Sequence, residues 1–180
     1  MQMLSNVSKN SAEFHPQKHL SQHSKFCRIR RANQNDIEAI SKLIRFYSMK
    51  GVMLSRDRAS LAEDLENFFV AENEDDEIVG CGALRCWHGH SAEVRSLAVR
   101  SDCVGMGIGA QLVQMLALQA FRSGKSTLFA LTLEPRFFEK MAFRVVEREL
   151  FPQKIQTDCL QCRFQKGCQE IAVALNLGRD

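Results

Sequence analysis

Residues Val104–Val113 read VGMGIGAQLV. Glycines stand at alternate positions (Gly105, Gly107 and Gly109) and lead straight into an apolar segment. Beyond them Leu112, Val113, Leu116, Ala117 and Ala120 recur on one stripe, the pattern of an amphipathic helix lying on a core. Gly124 predicts where that helix ends. Glycine accepts positive φ and has no Cβ, so a ligand can come close to the main chain. The N–H groups that open a helix lack intrahelical acceptors and sit at the positive end of its dipole. The pattern predicts an anion cradle suited to phosphate, with Met106, Gly107, Ile108, Gly109 and Ala110 as main-chain donors in a loop that opens at Val104 and Gly105. The plainer alternative is a tight strand–helix turn.

Outward from the loop, the chain reads as alternating elements. FCRIRRA (26–32) alternates like a short strand. Ile37, Ile40, Ile44 and Tyr47 recur at helical spacing, with Asn35 as the expected N-cap and Gly51 as the stop. SRDRASLAEDLENF predicts a second short helix. FFVAE, an acidic turn NEDDE and IVGCGALRCW predict a hairpin. AEVRSLAVR alternates Val94, Ser96 and Ala98 against Glu93, Arg95, Leu97 and Val99. TLFALTL predicts a strand, EPRFFEKM a helix with Pro135 in its first turn, and FRVVERE a last strand. The order β-α-α-β-β-β-α-β-α-β is a mixed α/β layout whose crossover helix joins two parallel strands. A dinucleotide-binding unit would place the glycines after the first strand with an acid about 20 residues on. Here they follow roughly the fourth strand, and Lys125 lies in that region. A Walker A loop would end in Gly-Lys-Ser/Thr, whereas this one has Gly-Ala-Gln.

The 180 residues suffice for one domain with a core. Residues 1–25 are polar and predict a disordered tail, and 26–180 form the domain, with a cysteine-containing extension over 151–180. The net charge of +3 is too mild to argue for nucleic acid, and no apolar run approaches the ~20 residues of a membrane span. Seven cysteines without a preceding secretory segment fit a reducing, cytoplasmic setting. Cys27, Cys81, Cys86 and Cys103 read as small apolar fillers. Cys159, Cys162 and Cys168 are spaced C-x2-C-x5-C; the first spacing suits a metal knuckle, but a fourth ligand would have to be Asp158 or Cys103, and no metal is assigned. His15, His19 and His23 could share a helical face, although Pro16 argues against a helix there.

VRSLAVRSDCVGMGIGAQLV resembles the central acetyl-CoA motif of the GNAT N-acetyltransferases, Arg/Gln-x-x-Gly-x-Gly/Ala, with Val104 where the family carries Arg or Gln. FFEKMAFRVV resembles the family's FYEKxGF segment, with Ala142 at the usual glycine. IRFYSMKGVMLSRDRASLAEDLENFFVAE, IVGCGAL, AEVRSLAV, LFALT and the tail ELFPQKIQTDCLQCRFQKGCQEIAVAL together resemble the short, stand-alone relatives of the N-acetylglutamate synthase acetyltransferase domain.

This resemblance implies a GNAT-like fold and direct transfer from acetyl-CoA to an amine, most readily the α-amine of L-glutamate, the entry step of arginine synthesis. Glu93 matches the position that handles the amine proton through water. Leu97, Ala98 and Val99 would pair with the pantetheine arm. Arg56 and Arg58 fall where such synthases carry an arginine pair, a residue type suited to carboxylates. Arg95, on the Glu93 side of its strand, would hold a substrate carboxylate or pair with Glu93. Thr132 would bind substrate or a water. No side-chain general acid is assigned, because Phe137 and Phe138 stand where many relatives use Tyr. The expected partner is a small amino acid, and the sequence is compatible with a homodimer. Two alternatives stand beside this reading: the same fold acting on another small amine, and a non-catalytic acetyl-CoA sensor.

Overall fold

The computed structural model describes residues 27–162 and 164–178. The tail expected over 1–25, with its three histidines, lies outside them. One mixed sheet is built from β1 (Arg28–Arg31), β2 (Phe68–Glu72), β3 (Ile78–Cys86), β4 (Ser91–Val99), β5 (Thr127–Thr132), β6 (Arg144–Val145) and β7 (Ile171–Asn176). Their spatial order is β1-β2-β3-β4-β5-β7-β6. The helices are α1 (Ile37–Met49), α2 (Arg58–Glu63), α3 (Ile108–Arg122), α4 (Pro135–Glu139) and α5 (Pro152–Thr157). Among the paired strands only β4 and β5 run parallel, and α3 is the crossover between them.

The apolar stripe of α3 does what its spacing requires. Leu112, Val113, Leu116, Ala117 and Ala120 are buried against Leu84, Ala92, Val94 and Leu128 on one face of the sheet. The opposite face is covered in two parts. Ile40, Leu43 and Ile44 of α1 and Leu61 of α2 pack on Val70, Cys81, Ala83 and Ala98. Beside them, Phe151 stacks on Phe129 with ring centroids 3.7 Å apart and closes a third cluster with Trp87 and Ala172. That stacking seats α5 over the middle of the sheet.

Four local expectations need correction. The capping residue ahead of α1 is Asn33 rather than Asn35, and it caps a 3-10 turn, while Asp36, the N-cap of α1 itself, makes no side-chain cap bond to that helix. Asn33 and Asp36 form a capping box across a 3-10 turn that precedes the helix, so the chain starts winding two residues early. The last strand is β7, inside the C-terminal extension; it inserts between β5 and β6, and β6 shrinks to two residues. Cys86 is exposed rather than a filler. The strict alternation along β4 also fails. Ser96 has φ 53°, and the β3–β4 register shifts between Cys81 and Ala83. This bulge re-aims everything beyond it. Val94 faces α3, Ala98 faces α1 and α2, and Leu97 and Val99 turn to the α3 side.

Candidate active site

The bulge matters because of what β4 does next. β4 pairs with β5 only at Ser91–Thr127, Ala92–Leu128 and Glu93–Phe129. Beyond Phe129, β5 keeps its pairing with β7 to Thr132, while among the described residues Val94–Val99 has no strand on that edge. The two parallel strands therefore part company at Glu93, and an extended edge of β4 is left open beyond it. Such an edge presents main-chain N–H and C=O groups to whatever enters. One of these groups is already engaged: the Tyr47 hydroxyl donates to the Val99 carbonyl at 2.5 Å.

The glycine loop lies just past that edge. Gly105 and Gly107 have φ of 87° and 82°, the left-handed region that penalises side chains. A Cβ at either would meet no described residue within 4 Å, so backbone shape and not crowding calls for glycine there. Gly107 caps α3 without a side-chain bond, and the first helical bond runs from the Gln111 N–H to the Gly107 carbonyl at 3.1 Å. The Met106 N–H donates to the Cys103 carbonyl at 3.3 Å, which removes it from the expected donors. Ile108, Gly109 and Ala110 carry the N–H groups that a helix start leaves without an i−4 acceptor. Gly109 has a different reason to be glycine: a Cβ there would lie 3.1 Å from the Phe137 ring. Val104 is exposed.

Glu93 is buried at 3 % exposure. The Lys154 ammonium of α5 lies 2.6 Å from its Oε1. Its Oε2 is also buried and has no hydrogen-bond partner among the described residues. Lys154 reaches Asp158 Oδ2 as well, at 2.9 Å, and Arg85 approaches the same carboxylate at 3.0 Å. Arg85 in turn lies over the Trp87 ring, 4.0 Å from its centroid. Burial pulls the Lys154 ammonium towards the neutral form, but the Glu93 and Asp158 carboxylates outweigh it and hold its pKa above the lysine norm. Burial pushes the Asp158 carboxyl up, and Lys154, Arg85 and Arg95 outweigh that to hold it low. Sequence reasoning missed Lys154. Its one signal was the aromatic-proline pair Phe151-Pro152 just ahead, which seats the helix that carries it.

The expected arginines separate cleanly. Arg56 is committed to Asp64 at 2.8 Å and to the Ser60 hydroxyl at 3.0 Å. Arg58 is exposed and pairs with Glu38 of α1 at 2.6 Å. Arg95 stands on the Glu93 face of β4, across from Ala83, where Glu93 is across from Arg85. Among the described residues the Arg95 side chain makes no hydrogen bond or ion pair, and its charge helps to hold the nearby Asp158 carboxyl low. The Thr132 hydroxyl accepts from the Glu134 N–H at 2.9 Å and shapes the turn into α4. No group of His, Cys, Asp and Glu among the described residues is placed to hold a metal.

Residues 64–145 match the acetyltransferase (GNAT) domain model. An uncharacterized N-acetyltransferase of Chlorobaculum tepidum is 36 % identical over 149 residues, which is 83 % of this chain and 96 % of the relative. The chain belongs to the GNAT acetyltransferase family. A GNAT relative from Mycobacterium tuberculosis, named amino-acid acetyltransferase, is 35 % identical over 66 % of the chain and 69 % of its own length. In structure, the N-acetylglutamate synthase of Neisseria gonorrhoeae, solved with coenzyme A and N-acetyl-glutamate, superposes with a TM-score of 0.78 at 27 % identity. That match covers 86 % of this GNAT chain and 36 % of the synthase, so this chain spans about a third of that protein.

Proposed function

We propose that this chain transfers the acetyl group of acetyl-CoA to the α-amine of a small carboxylate-bearing amino acid, with L-glutamate first among them. One observation carries the reading. At the point where β4 and β5 diverge, Glu93 keeps one carboxylate oxygen buried and without a partner among the described residues, and the Arg95 guanidinium, likewise unpaired among them, stands one pleat further on the same face. The names of the Mycobacterium and Neisseria relatives support the choice of an amino acid.

Acetyl-CoA, when bound, supplies an acetyl thioester activated towards amines. The left-handed glycines and the open space around them fit its pyrophosphate, which the N–H groups of Gly107, Ile108, Gly109 and Ala110 would take. The open edge of β4 at Leu97, Ala98 and Val99 would take the pantetheine arm, with Tyr47 fixing the Val99 carbonyl so that its N–H stays available. An N–H on that edge stabilises negative charge as it develops on the carbonyl oxygen. Glu93 Oε2 receives the proton that the ammonium form of the acceptor must lose, directly or through one water. Arg95 forks onto an acceptor carboxylate, a geometry that guanidinium suits better than ammonium. Arg56 would have to leave Asp64 to share that task, and Arg58 would have to leave Glu38.

The test is free-thiol release from acetyl-CoA with each of the twenty amino acids as acceptor. Turnover is expected to be highest with a dicarboxylic acceptor and to collapse in Glu93→Gln. Arg95→Ala should raise KM for that acceptor by roughly 10–150-fold, the loss of a charged hydrogen-bonding partner, while a neutral primary amine is little affected. Tight CoA binding without turnover on any amino acid would refute the substrate class.

A further inference from the structure

We propose that Lys154 is a positioning residue for acetyl transfer: its ammonium occupies Glu93 Oε1, compensates the buried carboxylate and leaves Oε2 as the oxygen that meets the acceptor. This rests on Glu93 serving as the proton acceptor.

Three observations carry it. Lys154 Nζ is 2.6 Å from Oε1, while Oε2 is buried and unpartnered. The pair is nearly closed to water, with side chains 13 % and 4 % exposed, and in such surroundings an uncompensated carboxylate takes up a proton. Lys154 is also delivered rigidly. The Phe151–Phe129 stack seats α5 beside the strand partner of Glu93, and Asp158, one turn on, grips the same ammonium at 2.9 Å. Lysine suits the task because it is a compact point charge that can hold one oxygen, whereas an arginine fork tends to cover both.

The charged groups around Glu93 come from every neighbouring element. Lys154 and Asp158 belong to the α5 segment, Arg85 to β3 and Arg95 to β4. Glu170, ahead of β7, is pushed up by burial and also feels Glu93, Lys154 and Arg148. Of these, Lys154 is the one cation in contact with Glu93.

The experiment uses the full chain with Lys154→Met, Lys154→Arg and Glu93→Gln. In Lys154→Met the acid limb of the kcat/KM–pH profile should move up by about 1–3 pH units, the usual effect of losing an opposite charge at contact distance. In Lys154→Arg the limb should stay near the parent position, because the charge is kept. The Lys154 amine, followed by NMR in 13C-lysine-labelled protein, should titrate at lower pH in Glu93→Gln, since burial is then less opposed. An acid limb unmoved in Lys154→Met overturns the proposal, and so does a Lys154 titration unmoved in Glu93→Gln. If Lys154→Met does not fold, the NMR titration decides by itself. If Glu93→Gln keeps full turnover, the underlying assignment of Glu93 as proton acceptor is what fails, whatever Lys154 does.

Discussion

Gly107→Ala isolates what the glycine loop contributes. Gly107 caps α3 at φ 82°, and a Cβ there would touch no described residue within 4 Å. The cost of alanine is therefore backbone strain alone, about 1–2 kcal/mol in the left-handed region. Alanine also stiffens the unfolded chain, which returns ~0.4–1 kcal/mol. The net loss is about 1 kcal/mol, or roughly 2–4 °C in Tm for a chain of this size. The protein can instead escape the strain by turning the peptide planes of the loop, and then the N–H groups of Ile108, Gly109 and Ala110 lose their common aim and CoA binding weakens. Thermal unfolding without ligand and calorimetric titration with CoA separate these routes, and at least one must register a loss. Gly107→Asn should lose less than Gly107→Ala, because asparagine visits the left-handed region more readily. Parent-like Tm together with parent-like CoA affinity in Gly107→Ala would mean that neither the left-handed cap nor the cradle exists.

Other consequences can be checked separately. Tyr47→Phe should cost about 1 kcal/mol in chemical denaturation, the usual worth of one intramolecular hydrogen bond, since its hydroxyl donates to the Val99 carbonyl. The Glu72 carboxylate accepts from Arg30 and Arg28, which hold its pKa down to about 2 from 4.5. A depressed folded-state pKa gives stability that is present above the unfolded value and lost on acidification. Tm should therefore fall as pH drops from about 4.5 towards 2, and this slope should flatten in Arg30→Met; an unchanged slope counts against the cluster. Burial pushes the Cys81 thiol up to about 12 while Cys86 is exposed. Mass spectrometry after brief alkylation at neutral pH should find Cys86 labelled and Cys81 intact, because the thiolate is the reactive form.

Where the sequence was legible, the physics was local. The α3 stripe, the glycine loop and the β2–β3 hairpin are each encoded within a few residues, and each formed as its spacing required. Glu93 and Arg95 could be placed on one face because they precede the bulge. Ala98 could not be placed, since the β3–β4 register shifts beside Gly82, where a Cβ would crowd Leu97 and Leu116 at 3.2 Å, and Ser96 takes φ 53°. β7 was hidden because IAVALN lies behind a cysteine-containing stretch, and its partner, β5, lies some 40 residues earlier in the chain. Lys154 was invisible for the same reason. Nothing near it in sequence says that Phe151 will stack on Phe129 and set an ammonium against Glu93. Arg56 shows the converse: its residue type suited a carboxylate, and the carboxylate it meets is Asp64 of its own chain.

In the proposed reaction the divergence of β4 and β5 at Glu93 and the loop at Gly107 form one site. A crystal structure of the protein with CoA tests it most directly. The pyrophosphate should lie on the N–H groups of Gly107–Ala110, the pantetheine along Leu97–Val99 and the sulfur at the mouth of the opening beside Glu93. CoA bound elsewhere, or with its sulfur directed away from Glu93, would contradict it.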